Sequence, residues 1–181
     1  VDENGVITAV GEGTATITVT LPYTKASSSC TVNVTVSTEY SLVLKNSSSM
    51  GFDSSHNLRA IPIKDNTVAQ IKTHFENDSL KFYGLDGTEL SDENKVGTGT
   101  VIKLCDGETV IDSTTAVLTG DYTCDGDVNN RDVVMLNQYI VDKRTADELQ
   151  MIAIDVNGDG YVNNRDAAML ARYLVGKDAI I

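Results

Sequence analysis

One twelve-residue pattern occurs twice in the last third of the chain. Asp121-Tyr-Thr-Cys-Asp-Gly-Asp-Val-Asn-Asn-Arg-Asp132 is matched by Asp155-Val-Asn-Gly-Asp-Gly-Tyr-Val-Asn-Asn-Arg-Asp166. Each copy places oxygen-bearing side chains at positions 1, 3, 5, 9 and 12, Gly at 6 and Val at 8. A hard cation such as calcium takes about six to eight oxygen ligands, and a loop with this spacing can wrap them around one ion, the glycine making the sharp turn. The segments that follow also match: Asp132-Val-Val-Met-Leu-Asn-Gln-Tyr-Ile-Val141 against Asp166-Ala-Ala-Met-Leu-Ala-Arg-Tyr-Leu-Val175. Two loops, each followed by a near-identical helix, imply a pseudo-twofold module that binds two calcium ions.

The expected ligands of the first loop are Asp121, Thr123, Asp125 and Asp132, with the Asp127 carbonyl and Asn129 acting through water. Those of the second are Asp155, Asn157, Asp159 and Asp166, with the Tyr161 carbonyl and Asn163 through water. Val128 and Val162 are expected to meet in a short β-bridge. Thr123 is a weaker ligand than Asn157, and Cys124 stands where the second loop has Gly158, so the first loop is expected to bind more weakly. Leu136, Ile140, Leu170, Leu174 and Val133 are the expected core of the helices; Met135, Tyr139 and Val141, with Met169, Tyr173 and Val175, form a second apolar set. Between the repeats, Thr145-Ala-Asp-Glu148 reads as a capping box opening a short helix.

The remaining 120 residues read differently. Val6–Val10, Thr14–Thr20 and Cys30–Val36 alternate or run β-branched, with glycine turns and the Ser27–Ser29 stretch between them. From Tyr40 the pattern is α+β. Strands are expected from Ser41 and over Leu58–Ile63, with Pro62 marking an edge. A helix capped at Asp65 or Asn66 is expected to run to about Asn77, burying Val68, Ile71 and Phe75. Hairpins are expected at Asp86-Gly87, between Leu80–Tyr83 and Thr88–Leu90, and at Asp106-Gly107, between Thr100–Leu104 and Thr109–Leu118. Thr119-Gly120 runs into Asp121 without a linker, which predicts that the sheet domain and the calcium module are rigidly docked instead of strung on a flexible tether.

The net charge is -12, so phosphate backbones and anionic lipid are repelled and are poor partners; no apolar run approaches membrane-spanning length, so no membrane insertion is expected. Cys30, Cys105 and Cys124 are an odd set without metal-ligand spacing and are expected to be unpaired. His56 and His74 lie in no triad-like or metal-like spacing, and no phosphate-cradling glycine loop is present, so the chain does not read as an enzyme.

The two loop-plus-helix units, with Gly120-Asp121 entering the first and Leu-x-x-Tyr in each helix, resemble a type I-like dockerin over Gly120–Lys177. Dockerins are calcium-dependent plugs by which bacterial proteins dock into cohesins, as in cellulosomes and amylosomes. The resemblance implies an extracellular monomer whose partner is a cohesin of a scaffoldin or cell-surface anchoring protein, in a complex that degrades polysaccharide. It also implies contacts at loop positions 10 and 11 and on the exposed helix face. Here these are Asn130, Arg131, Met135, Asn137, Gln138 and Val141 on one repeat. The other repeat offers Asn164, Arg165, Met169, Ala171, Arg172 and Val175. The likeness of the repeats implies that either one can face the partner. Val96-Gly-Thr-Gly99, with Gly107 and the strand into Gly120, resembles X-modules adjacent to dockerins. Asp2-x-Asn-Gly-Val-Ile-Thr-Ala-Val-Gly-x-Gly-Thr-Ala-Thr-Ile17 resembles part of a group 2 bacterial immunoglobulin-like domain. The expected fold is therefore multidomain: a partial all-β Ig-like segment at 1–38, a small α+β sheet domain at 39–119, and an all-α dockerin at 120–181 with two calcium-binding F-hand loop-helix repeats. The competing reading is a calcium-stabilised adhesin segment whose middle domain binds carbohydrate, although the chain has no Trp to build a sugar platform.

Overall fold

The computed structural model describes residues 5–8, 13–34, 41–177 and 180. The chain divides into two compact units, Val1–Thr38 and Glu39–Ile181.

In the first unit β1 (Gly13–Thr20) pairs antiparallel with β2 (Ser27–Val34), from Gly13 opposite Val34 to Thr20 opposite Ser27. Ser27–Ser29 begins the second strand instead of separating strands, and Val6 and Ile7 are exposed and outside any strand. The ends of the expected strands at 9–10 and 35–36 lie outside the described residues. Most of the hairpin is exposed on both faces. An Ig-like sandwich does not appear among the described residues, because two strands enclose no core of their own.

The second unit holds a five-stranded mixed sheet, in the order β3 (Gly51–Phe52), β4 (Asn57–Arg59), β7 (Thr109–Ala116), β6 (Val101–Asp106), β5 (Leu80–Tyr83). β4 and β7 run parallel and the other neighbours antiparallel. Alternation in β6 sends Ile102 and Leu104 into the core and leaves Lys103 partly exposed. Helix α1 (Val68–Lys72) adds Val68 and Ile71 to that core, joined by Phe75.

The strands expected at Ser41–Leu44 and Thr88–Leu90 do not form; those segments make only the single bridges Leu44–Phe75 and Tyr83–Glu89. Two further elements differ from expectation for local reasons. The helix begins after Thr67, whose hydroxyl caps the Gln70 N–H, and stops at Lys72. Beyond it Phe75 bridges to Leu44, while the Asn77 amide accepts the Val43 N–H at 2.8 Å and donates to the Ser41 carbonyl; the chain is drawn into pairing with 41–44 instead of coiling on. The strand expected over Leu58–Ile63 is only Asn57–Arg59, because Ala60 sits at φ 56, in the left-handed region that breaks a ladder.

Helices α2 (Asn130–Ile140), α3 (Glu148–Ile154) and α4 (Asn164–Leu174) pack around Tyr122, Leu136, Ile154, Val156, Ala167 and Leu170. The Tyr122 hydroxyl donates to the Thr145 carbonyl at 2.7 Å. α3 opens two residues later than expected, on an Asp147–Gln150 capping box. No bridge joins Val128 to Val162 among the described residues. Val128 instead packs against both the sheet core and the helical core. That sharing corrects the expected fold class, in which an α+β sheet stood beside an all-α end. Glu39–Ile181 is one mixed α/β unit, since Leu118 ends in the sheet core and the Gly120 N–H, two residues on, donates to the Ala153 carbonyl at 2.7 Å. No helix among the described residues is long and apolar enough to cross a membrane.

Candidate metal centres and docking face

The two loops fold by one hydrogen-bond scheme. At position 1, Asp121 and Asp155 each accept the Gly N–H of position 6 on Oδ2, at 3.2 and 2.8 Å, and the N–H of position 5 on Oδ1, both at 3.2 Å. At position 12, Asp132 and Asp166 accept the N–H of residue 3 on Oδ1, at 2.9 and 3.2 Å, and the N–H of residue 9 on Oδ2, at 2.9 and 3.0 Å. Glycine is needed at position 6 because the backbone there has φ +77 in Gly126 and +84 in Gly160. Position 9 has a second duty: Asn129 and Asn163 cap α2 and α4 by accepting the Arg131 and Arg165 N–H, at 2.8 and 2.9 Å. The residue that ends each loop is thus the N3 carboxylate of the following helix, so helix and loop form or melt together.

The donor set fits a hard cation. Asp121, Asp132 and Asp166 are fully buried, and among the described residues no Lys or Arg pairs with any of them. Burial pushes the Asp121 carboxyl up to about 6; the Thr98 N–H opposes this, and the charges of Asp132 and Asp125 reinforce it. A buried carboxylate raised by its neighbours' charge, as Asp121 is by Asp132 and Asp125, is what a divalent ion would stabilise. No group of three His, Cys, Asp or Glu side chains among the described residues converges closely enough to hold a metal alone. An ion in either loop would therefore also draw on Thr123 or Asn157 and on carbonyl oxygens. In this arrangement Thr123 Oγ1 donates to Asp132 at 3.0 Å, the Asn157 amide donates to Asp166 at 2.9 Å, and the Asn163 amide donates to the Tyr161 carbonyl at 3.1 Å.

The loops differ in their surroundings. Cys124 occupies position 4 at φ 60, a conformation that Gly158 adopts without cost in the second loop. Its thiol is half-buried and, like those of the exposed Cys30 and the buried Cys105, in no disulfide; burial pushes it up to about 11, with the Asp121 charge adding to the effect. Gly126 is buried and Gly160 exposed.

Of the residues expected to contact a partner, Asn130, Arg131, Asn137 and Val141 are exposed on the first repeat, as are Asn164, Arg165, Arg172 and Val175 on the second. Met135, Met169, Gln138 and Ala171 are half-buried. Met135 and Met169 pack on the helical core, while Gln138 accepts from Arg144 Nε at 3.0 Å. Arg131 lies 3.7 Å from Asp125 and Arg165 3.6 Å from Asp159, so each arginine is turned toward position 5 of its own loop. Val134 and its counterpart Ala168 are exposed between these residues and were not anticipated. Helical spacing of three from Arg131 and Arg165 points to them, but Val134 reads as core by composition alone.

Elsewhere, Ser48 Oγ and His74 Nδ1 are 3.1 Å apart, but Ser48 Oγ accepts the Met50 N–H and no carboxylate among the described residues bonds to His74. His56 stacks on Phe52 and lies 3.6 Å from Asp112. Neither is a catalytic triad.

No curated protein matches the chain. Residues 119–175 match the dockerin type I domain model, which supports a dockerin domain over that stretch, a non-catalytic kind of module that binds calcium and attaches to cohesins.

Proposed function

We propose that residues 120–181 are a docking module that holds two calcium ions and plugs into a cohesin of a scaffoldin or cell-surface anchor, tethering the parent protein to an extracellular polysaccharide-degrading complex. Residues 39–119 are its X-module-like companion. The observation that carries this reading is the duplicated loop: two segments with the same carboxylate-to-amide bonding, each ending as the cap of an eleven-residue helix with an exposed polar edge. The ions would be held by Asp121, Thr123, Asp125, the Asp127 carbonyl, Asn129 and Asp132, and by Asp155, Asn157, Asp159, the Tyr161 carbonyl, Asn163 and Asp166. When bound, they supply charge neutralisation for the buried carboxylates, which lets both helices stand in fixed relation.

The docking face is Asn130, Arg131, Val134, Asn137 and Val141 on α2 and the turn after it, or Asn164, Arg165, Ala168, Arg172 and Val175 on α4. The arginines suit an acidic partner surface. A pull-down with a cohesin panel, with and without chelator, tests the assignment. Capture by at least one cohesin, lost with chelator and restored by calcium, is expected. Equal capture with chelator, or none by any cohesin, contradicts it.

A further inference from the structure

The two calcium loops are alike in sequence but not in what touches them. The first is closed from outside by the sheet. Asp121 Oδ2 accepts the Thr98 N–H at 2.9 Å in addition to the Gly126 N–H, and Thr98 Oγ1 is tied to Leu118, accepting its N–H at 3.2 Å. The Asn66 amide, 1% exposed, bridges the Val96 carbonyl at 3.1 Å and the Gly126 carbonyl at 2.8 Å, so one buried side chain clamps the sheet turn to the loop turn. Lys95 pairs with Asp127. The fit is backbone on backbone: a Cβ on Gly97 would lie 2.5 Å from the Gly126 nitrogen and 2.8 Å from Asp121 Oδ2. The second loop has none of this. Among the described residues Asp155 Oδ2 accepts only from Gly160, and none places an atom within 4 Å of where a Cβ on Gly158 or Gly160 would stand, chain neighbours aside.

We propose that the first calcium site is composite. The turn Lys95–Thr98 and Asn66 act as positioning residues that hold the carboxylate of Asp121 and the Gly126 turn in place. Filling the first loop and folding the sheet are therefore coupled, whereas the second loop fills independently. The inference rests on the calcium reading above. By linkage, whatever the sheet contributes to ion affinity, the ion returns to the stability of the sheet. The first loop then holds the ion coupled directly to the sheet, and the second loop reaches the sheet only through the packing of α4.

Gly97→Ala tests this directly, because Gly97 is not in the left-handed region and the substitution acts only as a wedge between turn and loop. Calcium titration by calorimetry would use two full-length backgrounds, one with the second loop disabled (Asp155→Asn, Asp159→Asn) and one with the first disabled (Asp125→Asn, Asp132→Asn). The wedge is expected to weaken the first site tenfold or more and to change the second by less than twofold. Equal effects on both, or none on either, overturn the proposal. Should the wedge prevent folding, hydrogen exchange on the two backgrounds without it decides. Filling the first loop should slow exchange of the β6 and β7 amides at least tenfold, and filling the second should leave them within twofold; the same response in both backgrounds overturns the coupling. Absence of any calcium binding in the unaltered chain defeats the calcium reading itself, and the coupling with it.

Discussion

Gly120 is the hinge point on which the sheet, the first loop and α4 meet, and replacing it by alanine probes that junction. Its φ of +88 is a region where an L residue costs about 1–2 kcal/mol. A Cβ there would also lie 2.7 Å from Leu170 Cδ1, 3.0 Å from Val128 Cγ1 and 3.5 Å from Ile180 Cδ1. Leu170 is fully buried, so it has no free volume to move into, and overpacking of this kind costs about 1–3 kcal/mol more. Gly107→Ala supplies the reference. It shares the positive φ, at +59, but nothing lies within 4 Å, so it carries only the conformational cost. In calcium-saturated protein Gly120→Ala should lower the melting temperature beyond Gly107→Ala by an amount matching about 1–3 kcal/mol, roughly 3–9 °C for a unit of this size. Denaturant midpoints at constant slope give the same difference. If the two variants are equally destabilised, the packing of α4 and Val128 over the junction is not as described.

Further outcomes follow from the charges and loops. In metal-free protein, Asp121 is raised from 3.8 to about 6, so the unfolded chain ionises first and stability falls as pH rises from about 4 to about 6, by about 3 kcal/mol. Asp53 is held low and acts with the opposite sign only below that window; a metal-free melting temperature that rises from pH 4.5 to 7 contradicts the burial of an uncompensated Asp121. Arg131→Ala and Arg165→Ala made singly should leave cohesin affinity within about twofold while the double variant loses about tenfold or more, about 1.4 kcal/mol, if either repeat can face the partner. Loss from one single variant indicates a fixed orientation. If instead the single variants weaken calcium, the arginines serve Asp125 and Asp159. Cys124→Gly should relieve the strain at φ 60 and tighten the first loop by up to about 1 kcal/mol, measured with the second loop disabled; an unchanged or weaker affinity argues that position 4 is not strained.

The turns of the two twelve-residue loops were legible because their information is local: the turn glycine and the helix cap fall within twelve consecutive residues, so spacing alone implies the backbone geometry. The same holds for the Asp106-Gly107 hairpin and for the face of Val68, Ile71 and Phe75. What was not legible depends on contacts distant in sequence or on single backbone angles. Asn66 reaches Gly126 across 60 positions and Thr98 reaches Asp121 across 23, and no periodicity marks either. Ala60 at φ 56 ended a strand that its β-branched neighbours favour, and the pull of Asn77 on 41–43 cut short a helix whose apolar spacing ran on. The separate all-α module failed for a related reason. Val128 reads as a loop valine, yet its side chain belongs to two cores at once. The lack of a linker before Asp121 was the one sequence clue to that merging.

Whether divalent ions order the helical end of this chain is decided by adding calcium to metal-stripped protein while following helical circular dichroism, melting temperature and binding heat together. Two calcium equivalents per chain, a gain of helical signal and a higher melting temperature are expected, all reversed by chelator. Helical signal and melting temperature that stay the same from metal-free to saturating calcium would contradict that ordering.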